Sequence, residues 1–229
     1  MMIPDFMKDQ VIFHKEFEGA RFPERGSEGA AGMDFFIPKP ENFDDKCFEF
    51  MKNKCLDAVK NTVYHDDVTK SINYVFDNLK EDEIESAFLM ALAMYNKYVF
   101  NSDNYEFGLK PDGNGREIIL SPGQGITIPS GISVDLPHEY ALDFRNKSGI
   151  ATKKNLVIGA ELVDEDYTGV MHLNLHNIGN HDVRISCGMK IAQAVFERTY
   201  YDMLYISNSE EPLTKKTDRG AGGFGSTGI

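Results

Sequence analysis

A cluster of acids around a tyrosine is the first feature of the chain that could do chemistry. It lies in Gly159 to Asn177, GAELVDEDYTGVMHLNLHN, where Asp164, Glu165 and Asp166 precede Tyr167. A carboxylate can orient a water molecule and accept its proton. Residues two apart on a strand point to the same side, so Asp164 and Asp166 are predicted to face one ligand and Glu165 to face away. DEDYTG is also a good polar turn, and alone that interpretation would be favoured.

A second candidate is the glycine-rich stretch Arg219 to Gly228, RGAGGFGSTG. Three of its glycines match the pattern G-x-G-x-x-G, but a dinucleotide fingerprint must open a helix, and only four residues follow Gly225. The dinucleotide interpretation therefore fails. The remaining glycine amides, hydroxyl groups, arginine and phenylalanine suit a strip that closes over a phosphate-bearing ligand. A disordered tail is the alternative that composition alone favours.

Two kinds of sequence pattern occur along the chain, and the elements they predict must position these residues. Short β-rich runs separated by Gly, Pro, Asn and Asp extend over Val11 to Pro38 and Arg116 to Ile206, which predicts an all-β barrel or sandwich. Between them, Glu41 to Val99 carries apolar residues at three- and four-residue spacing behind acidic starts, which predicts amphipathic helices. The glycine- and asparagine-rich stretch Asn101 to Gly115 is predicted to be a loop.

Composition excludes several classes of protein. The chain has 229 residues, 41% of them hydrophobic, and a net charge of −12, which argues against disorder and against a broad surface for duplex nucleic acid. Three cysteines and the absence of a secretory signal pattern predict a reduced compartment. No apolar run approaches transmembrane length. We expect the protein to lie in the cytoplasm or in the compartment in which the host cell replicates nucleic acid. We expect no direct contact with nucleic acid or with a membrane.

Five segments, in their order, resemble the five motifs of the trimeric dUTP pyrophosphatases, or dUTPases. They are ARFPERGSEGAAGMDFFIP, KSGIA, GAELVDEDYTG, GMKIAQAVF and RGAGGFGSTG, which begin at Ala20, Lys147, Gly159, Gly188 and Arg219. The resemblance implies a mostly β protein, a β-barrel or jelly roll, that forms a homotrimer with three active sites between subunits. It also implies Mg²⁺-dependent hydrolysis of dUTP to dUMP and pyrophosphate.

The resemblance divides the chain into four parts. Residues 1–39 and 115–217 would form the β-barrel, and residues 40–114 would be an α-helical insertion. Residues 218–229 would be a flexible tail that closes the active site.

The same resemblance assigns roles to the acidic turn and the tail. Asp164 would orient and deprotonate the attacking water, and Tyr167 would stack on the deoxyribose and exclude a 2′-hydroxyl. Gly159 and Glu161 lie where the family binds the base, and Phe224 would stack on the uracil. The phosphate-binding residues would be Lys147, Ser148, Gly149, Gln193, Arg219, Gly223, Ser226 and Thr227.

The resemblance also indicates how the metal would be held. Asp34 would lie near the water shell of a magnesium ion held by the triphosphate and water, without direct protein ligands. A structural acid that pairs with an arginine is the alternative for Asp34.

Two departures from the family pattern affect these assignments. Lys147 replaces the usual arginine, so a point charge replaces a planar fork, and Arg145 could compensate. Glu161 replaces a glycine; either its side chain points to solvent, which we favour, or it binds an amine of dCTP or a 5-modified pyrimidine. The related dCTP deaminases carry a catalytic glutamate near HLNLHN, where Asn174 has no comparable basicity, and that function is disfavoured.

Binding without catalysis is the alternative function. The β part would then sense a nucleotide, and the helical segment would dock a protein partner. The six histidines show no zinc-type spacing with cysteines and receive no role. Cys47 and Cys55 are predicted to be buried thiols.

Overall fold

The computed structural model describes residues 10–41, 45–60, 65–78, 84–101, 106–109 and 116–201. The described residues up to Thr199 form one compact unit, and Tyr200 and Tyr201 belong to a second. Among the described helices, none has both the length and the apolar character that a membrane crossing requires.

Strands dominate the described residues, as predicted. They are β1 (Ile12–Lys15), β2 (Glu24–Arg25), β3 (Met33–Phe36), β4 (Glu106–Leu109), β5 (Arg116–Leu120), β6 (Gly125–Pro129), β7 (Ile132–Asp135), β8 (Tyr140–Asn146), β9 (Leu156–Ile158), β10 (Leu162–Val163), β11 (His172–Asn177), β12 (Val183–Ile185) and β13 (Lys190–Arg198). The helices are α1 (Lys46–Val59), α2 (His65–Asp77), α3 (Ile84–Val99) and α4 (Ser148–Lys154).

The described strands form four sheets, and their hydrogen-bonded order does not close into a barrel. The largest sheet has the order β10-β8-β13-β3-β2, and the others are β6-β11-β9, β12-β5-β4 and β1-β7. Every pairing is antiparallel. In the largest sheet, Gln193 of β13 lies opposite Asp34 on one side and Arg145 on the other. This register brings three distant sequence motifs together.

Alternation along the strands creates the core. In β11, Leu173, Leu175 and Asn177 are buried, whereas His172 and His176 lie on the other face. Such period-two burial is expected for a strand with one face against the core. The predicted β class of the fold therefore follows from a pattern that the sequence already contains.

The three predicted helices lie between β3 and β4, and they share a hydrophobic core with the strands. Asp45 caps α1 by accepting a hydrogen bond from the backbone N–H of Cys47 at 3.1 Å. Phe50 of α1 packs on Phe17 of the β part, with ring centroids 6.0 Å apart. Cys47 and Cys55 are free thiols with no exposed surface, which confirms that prediction. The domain boundaries, and the status of these helices as an insertion, stay predictions.

One segment predicted as a loop and one motif with no predicted secondary structure contain regular structure. Glu106–Leu109 of the predicted loop Asn101 to Gly115 is β4, which pairs with β5. The KSGIA segment opens α4, because the carbonyl of Lys147 accepts hydrogen bonds from Ile150 and Ala151 at 2.9 and 2.8 Å. Both elements are short and contain turn-forming residues. Periodicity of apolar residues is recognisable only over several periods, so the sequence did not predict these elements.

The side chain of Asn96 joins α3 to the edge of β6, where it makes two hydrogen bonds of the kind that a neighbouring strand would make. Its fully buried amide donates to the carbonyl of Thr127 at 2.8 Å and accepts from the N–H of Thr127 at 2.8 Å. The same amide nitrogen donates to Leu92 at 2.9 Å. Unpaired buried backbone groups are costly in free energy. Asn96 pairs both backbone groups of Thr127 at an edge of β6 that no strand covers among the described residues.

We predict that Asn96→Ala lowers the free energy of unfolding by about 2–4 kcal/mol, because it leaves two buried backbone groups of Thr127 unpaired. Urea denaturation measures the change. Asn78→Ala is the matched control, since Asn78 directly follows α2 and its exposed amide donates to the carbonyl of Tyr74 in that helix. An equal loss in both variants would show that the contact with β6 contributes nothing.

Candidate active site

The acidic segment forms a turn at the mouth of a cavity. β10 ends at Val163, and the N–H of Tyr167 donates to the carbonyl of Asp164 at 3.2 Å. The premise that Asp164 and Asp166 share a face through strand alternation is therefore wrong, because these residues are not in a strand. The cavity has a volume of about 200 Å³. Its lining includes Phe144, Leu162, Asp164, Tyr167, Met171 and His172.

Tyr167 is held at the edge of this cavity by a backbone contact. Its hydroxyl donates to the carbonyl of Val170 at 2.8 Å, and 42% of the residue is exposed. A Cβ at Gly169 would lie 2.7 Å from that hydroxyl, so the glycine leaves room for the ring. Burial raises the pKa of Tyr167, which keeps the phenol protonated as a donor.

Glu165 binds a different part of the molecule. Its carboxylate pairs with Nδ1 of His138 at 3.0 Å and accepts from the N–H of Glu139 at 2.8 Å. The hydrogen bond with His138 holds the pKa of Glu165 below its ordinary value. Glu165 thus ties the turn to the loop before β8, whereas Asp164 and Asp166 are exposed.

Glu161 and Gly159 meet the neighbouring strands through their backbones. The carbonyl of Glu161 accepts from the N–H of Phe144 at 2.8 Å, and its side chain is exposed. The N–H of Gly159 donates to the carbonyl of Asn174 at 2.9 Å. A Cβ at Gly159 would lie 2.2 Å from Oδ1 of Asn174, so this close approach requires glycine.

A second group of predicted site residues surrounds Asp34, which is 5% exposed. Lys147 Nζ lies 2.7 Å from Asp34 Oδ1, and Lys190 Nζ lies 3.0 Å from Asp34 Oδ2. Burial by itself would raise the pKa of Asp34, but hydrogen bonds from Lys147 and Lys190 outweigh it and lower the pKa. The partners of this acid are lysines, not the arginine that the alternative interpretation of Asp34 named. Arg145 instead pairs with Glu197 at 2.5 Å and with Asp143.

Ser148, Gly149 and Gln193 lie beside this ion pair. Lys147 is the N-terminal capping residue of α4, so Ser148 and Gly149 are exposed in its first turn. The first N–H groups of a helix have no partner within it and are available to an anion. Gln193 donates to the carbonyl of Asn146 at 2.9 Å.

The two groups lie at opposite ends of β8. Leu162 is paired with Asp143, so the next residues of the chain place Asp164 near the start of β8, whereas Lys147 follows its last residue. Six residues of extended strand separate these positions by about 20 Å. Asp164 of one chain therefore lies far beyond hydrogen-bonding distance of the Lys147 group in the same chain.

The predicted tail residues Arg219, Gly223, Phe224, Ser226 and Thr227 lie outside the described residues. Within the described ranges, no group of three or more His, Cys, Asp or Glu residues is arranged to hold a metal ion.

His172 and its partner Tyr95 were not predicted from the sequence to lie at or beside the site. His172 lines the cavity, and its Nε2 lies 2.7 Å from the hydroxyl of Tyr95 on α3. No local signal could have found this pair, because 77 residues separate the two side chains along the chain.

Fold and motifs define an enzyme-like β protein with a cavity beside an exposed carboxylate, and comparison with known proteins identifies its family. The dUTPase family model matches residues 115–228. Deoxyuridine 5′-triphosphate nucleotidohydrolase of Brucella melitensis is 38% identical over 115 residues, which are 49% of this chain and 71% of the relative. The Chlamydia muridarum enzyme of the same name is 40% identical over 113 residues, 48% of this chain and 76% of the relative.

A solved structure agrees in fold. The dUTPase of Staphylococcus bacteriophage 80alpha with dUPNHPP superposes with a TM-score of 0.54 and 18% identity, covering 96% of this chain and 99% of its own.

Because of the family model and the two curated relatives, the chain belongs to the dUTPase family, a family of hydrolases in nucleotide metabolism. Helices α1 to α3 precede the residues that the family model matches.

We predict that Asp34→Asn destabilises the protein by roughly 1–3 kcal/mol at pH 7, because it removes charge-assisted hydrogen bonds to two lysines. The pKa of Asp34 is lower in the folded protein than its ordinary 3.8, so its contribution is complete above that value. The contribution is lost as pH falls through the folded pKa. Urea unfolding of both proteins between pH 7 and pH 3 measures the difference.

The exposed carboxylate of Glu28 provides the control. Glu28→Gln should leave stability nearly unchanged at either pH. A difference between wild type and Asp34→Asn that persists undiminished at pH 3 would contradict the assigned ion pair.

Proposed function

We propose that the protein hydrolyses dUTP to dUMP and pyrophosphate by in-line attack of water on the α-phosphorus, with Asp164 as the base. The observation that carries this proposal is the shared cavity of Asp164 and Tyr167, about 200 Å³ in volume. It supplies a carboxylate and an aromatic ring side by side, the two groups that water activation and sugar binding require.

The choice of base follows from the groups that line the cavity. Among the described lining residues, Asp164 supplies the carboxylate, and Tyr167 and His172 are the other titratable groups. Burial lowers the pKa of His172 to about 4, and its Nε2 is paired with Tyr95. Since Nε2 of His172 is already paired with Tyr95 and Asp164 is exposed, the Asp164 carboxylate is the better placed acceptor for a water proton.

Tyr167 is assigned to the sugar. Its ring is fixed by the bond from its hydroxyl to Val170 and by the close approach at Gly169. A rigid ring against C2′ would exclude the 2′-hydroxyl of a ribonucleotide by steric contact. The exposed Glu161 carboxylate then takes no part in selecting the base.

The phosphates are assigned to Lys147, Ser148, Gly149 and Gln193. Because about 20 Å of β8 separates Asp164 from Lys147, a complete site needs these groups from different chains. A homotrimer with sites between subunits meets this requirement. The remaining contacts to the phosphates and the uracil are assigned, by the family resemblance alone, to Arg219, Gly223, Phe224, Ser226 and Thr227.

Magnesium would be bound by the substrate rather than by a protein ligand set. The donors fit this arrangement, since both carboxylate oxygens of Asp34 already contact lysines and leave it at most a role outside the metal's direct ligands. When bound to the triphosphate, Mg²⁺ would neutralise charge that builds up on the phosphate oxygens. The chain's own part is to hold the phosphates and to orient the water.

We expect Asp164→Asn to lower kcat for dUTP by roughly a hundredfold or more while KM changes little, because the amide cannot accept the water proton. Pyrophosphate release from dUTP with Mg²⁺ measures the rate. Asp166→Asn is the control, an exposed acid of the same turn. Equal rates for wild type and Asp164→Asn would remove Asp164 from the mechanism, and binding of dUTP without turnover by wild type would favour a nucleotide sensor.

We expect mixed assemblies to recover activity from two defective chains. A Cβ at Gly149 meets no atom within 4 Å in the single chain, so Gly149→Ala should fold normally yet hinder a phosphate that approaches its backbone. Coexpression with Asp164→Asn would form some sites that combine an intact Asp164 with an intact Gly149.

Differently tagged chains allow the mixed assemblies to be isolated before assay. Activity above that of either parent would support sites shared between subunits. Isolated mixed trimers with no gain would contradict the shared site, and the double variant Gly149→Ala/Asp164→Asn, mixed with itself, provides the baseline.

A further inference from the structure

Lys190 of β13 shares one carboxylate with Lys147, the lysine assigned to the phosphates. Lys190 Nζ lies 3.0 Å from Oδ2 of Asp34, and Lys147 Nζ lies 2.7 Å from Oδ1 of the same residue. Each oxygen of an ionised carboxylate can accept its own charge-assisted hydrogen bond. The buried Asp34 therefore joins two lysines that lie far apart in the sequence.

An irregularity in strand pairing places Lys190 in this group. The register of β13 against β3 shifts between Lys190 and Ala192, and a bulge of this kind can redirect a side chain. Lys190 is paired with Phe36, and Gln193 is paired with Asp34. Residues 34 and 36 of β3 share a face, so their partners Lys190 and Gln193 also share it. In a regular strand, two residues that are three apart would lie on opposite faces.

The ammonium group of Lys190 is held by further contacts. Its Nζ lies 5.4 Å from the centroid of the Phe36 ring and 3.4 Å from Oε1 of Glu24. Glu24 is itself paired with Arg21 at 2.8 Å, and the guanidinium of Arg21 lies 3.9 Å from the centroid of the same Phe36 ring. The hydrogen bond to Asp34 raises the pKa of Lys190, so Lys190 stays charged.

The charges of this group favour an anion only while both lysines are present. Two ammonium groups and one carboxylate leave a net positive charge beside the first turn of α4. Lys147 has three N–H donors, so its contact with Asp34 leaves donors for a phosphate. Without Lys190, Asp34 and Lys147 would form a neutral pair, and Oδ2 of Asp34 would repel a nearby phosphate.

We propose that Lys190 is a positioning residue for the phosphate-binding group: it binds Oδ2 of Asp34 and so fixes the carboxylate that orients Lys147 toward the phosphates of dUTP. The inference rests on the proposed assignment of the phosphates to Lys147. It adds a second residue of the GMKIAQAVF segment, besides Gln193, to those that determine affinity for the triphosphate.

The test removes the ammonium group with Lys190→Met. KM for dUTP should rise roughly tenfold or more, the scale of one hydrogen bond to a charged group, with kcat nearly unchanged because the Asp164 turn is untouched. Lys190→Arg keeps the charge and the donors, and it should restore KM to within about threefold of wild type. Lys70→Met is the matched control, since Lys70 pairs with the exposed Asp67 at 3.6 Å and should leave KM unchanged.

A double-mutant cycle decides whether Lys190 acts through Asp34. In an Asp34→Asn background, Lys190→Met should change KM by less than about twofold, because the carboxylate that transmits the effect is gone. A lysine that itself bound the phosphates would keep its full effect in that background, and this result would overturn the positioning role.

A readout without nucleotide separates this inference from the proposed function. The ¹³Cε signal of Lys147, assigned by its loss in Lys147→Arg, should shift in Lys190→Met and stay in place in Lys70→Met. In Lys190→Arg it should return toward its wild-type position. A wild-type protein that does not hydrolyse dUTP would overturn the proposed function, and the Lys147 signal would still decide whether Lys190 positions Lys147.

Two further results would overturn the inference. One is an unchanged Lys147 signal in Lys190→Met. The other is an equal KM for Lys190→Met and Lys70→Met in an active enzyme. If Lys190→Met does not fold, Lys190→Gln removes the charge but keeps an amide donor for Asp34. The same measurements, with the same expected directions, then apply to Lys190→Gln.

Discussion

Strand β8 is hydrogen-bonded along both edges, and this double pairing decides where the candidate site residues lie. Its pairing with β13 brings Gln193 opposite Arg145, and β13 in turn pairs with β3, which carries Asp34. Its pairing with β10 holds the turn that begins at Asp164. One strand thus supports the proposed phosphate-binding group at one end and the proposed catalytic turn at the other. The length of β8 keeps the two apart in a single chain.

This separation is the physical reason for the proposed assembly. In the proposed function, a nucleoside triphosphate must meet a water-orienting carboxylate and several phosphate donors at once, within hydrogen-bonding distance of each. A rigid antiparallel sheet cannot bend to bring its two ends together. A second copy that presents the opposite end of its own sheet solves the problem without any change in fold. The proposed function therefore requires the proposed oligomer.

The helical segment contributes to the same architecture in two ways. Its apolar faces join the hydrophobic core of the strands, and two side chains of α3 make hydrogen bonds to the strands. Asn96 completes the edge of β6, and Tyr95 reaches His172 beside the cavity. Because buried hydrogen bonds are expensive to leave unmade, these contacts fix α3 relative to the sheet. A helix that only covered the surface would have no such constraint.

The sequence by itself determined the kind of fold, the order of its elements and the family motifs. The alternation of buried residues in β11 and the spacing of apolar residues in α1 to α3 are local patterns, so they can be recognised in the amino-acid sequence alone. Short elements such as β4 and α4 lacked enough periods to be recognised. The local pattern also wrongly placed Asp164 in a strand, because β10 ends at Val163, before the acidic residues begin.

Only the tertiary structure decided which side chains meet. Asp34 contacts Lys147 and Lys190, which follow it by more than a hundred positions, and Tyr95 meets His172 across 77 residues. Such pairs depend on strand register and on the packing of α3, and neither is recorded in the spacing of residues along the chain. The sequence identified the groups able to do chemistry, and the fold determined their partners because hydrogen bonds require contact in space.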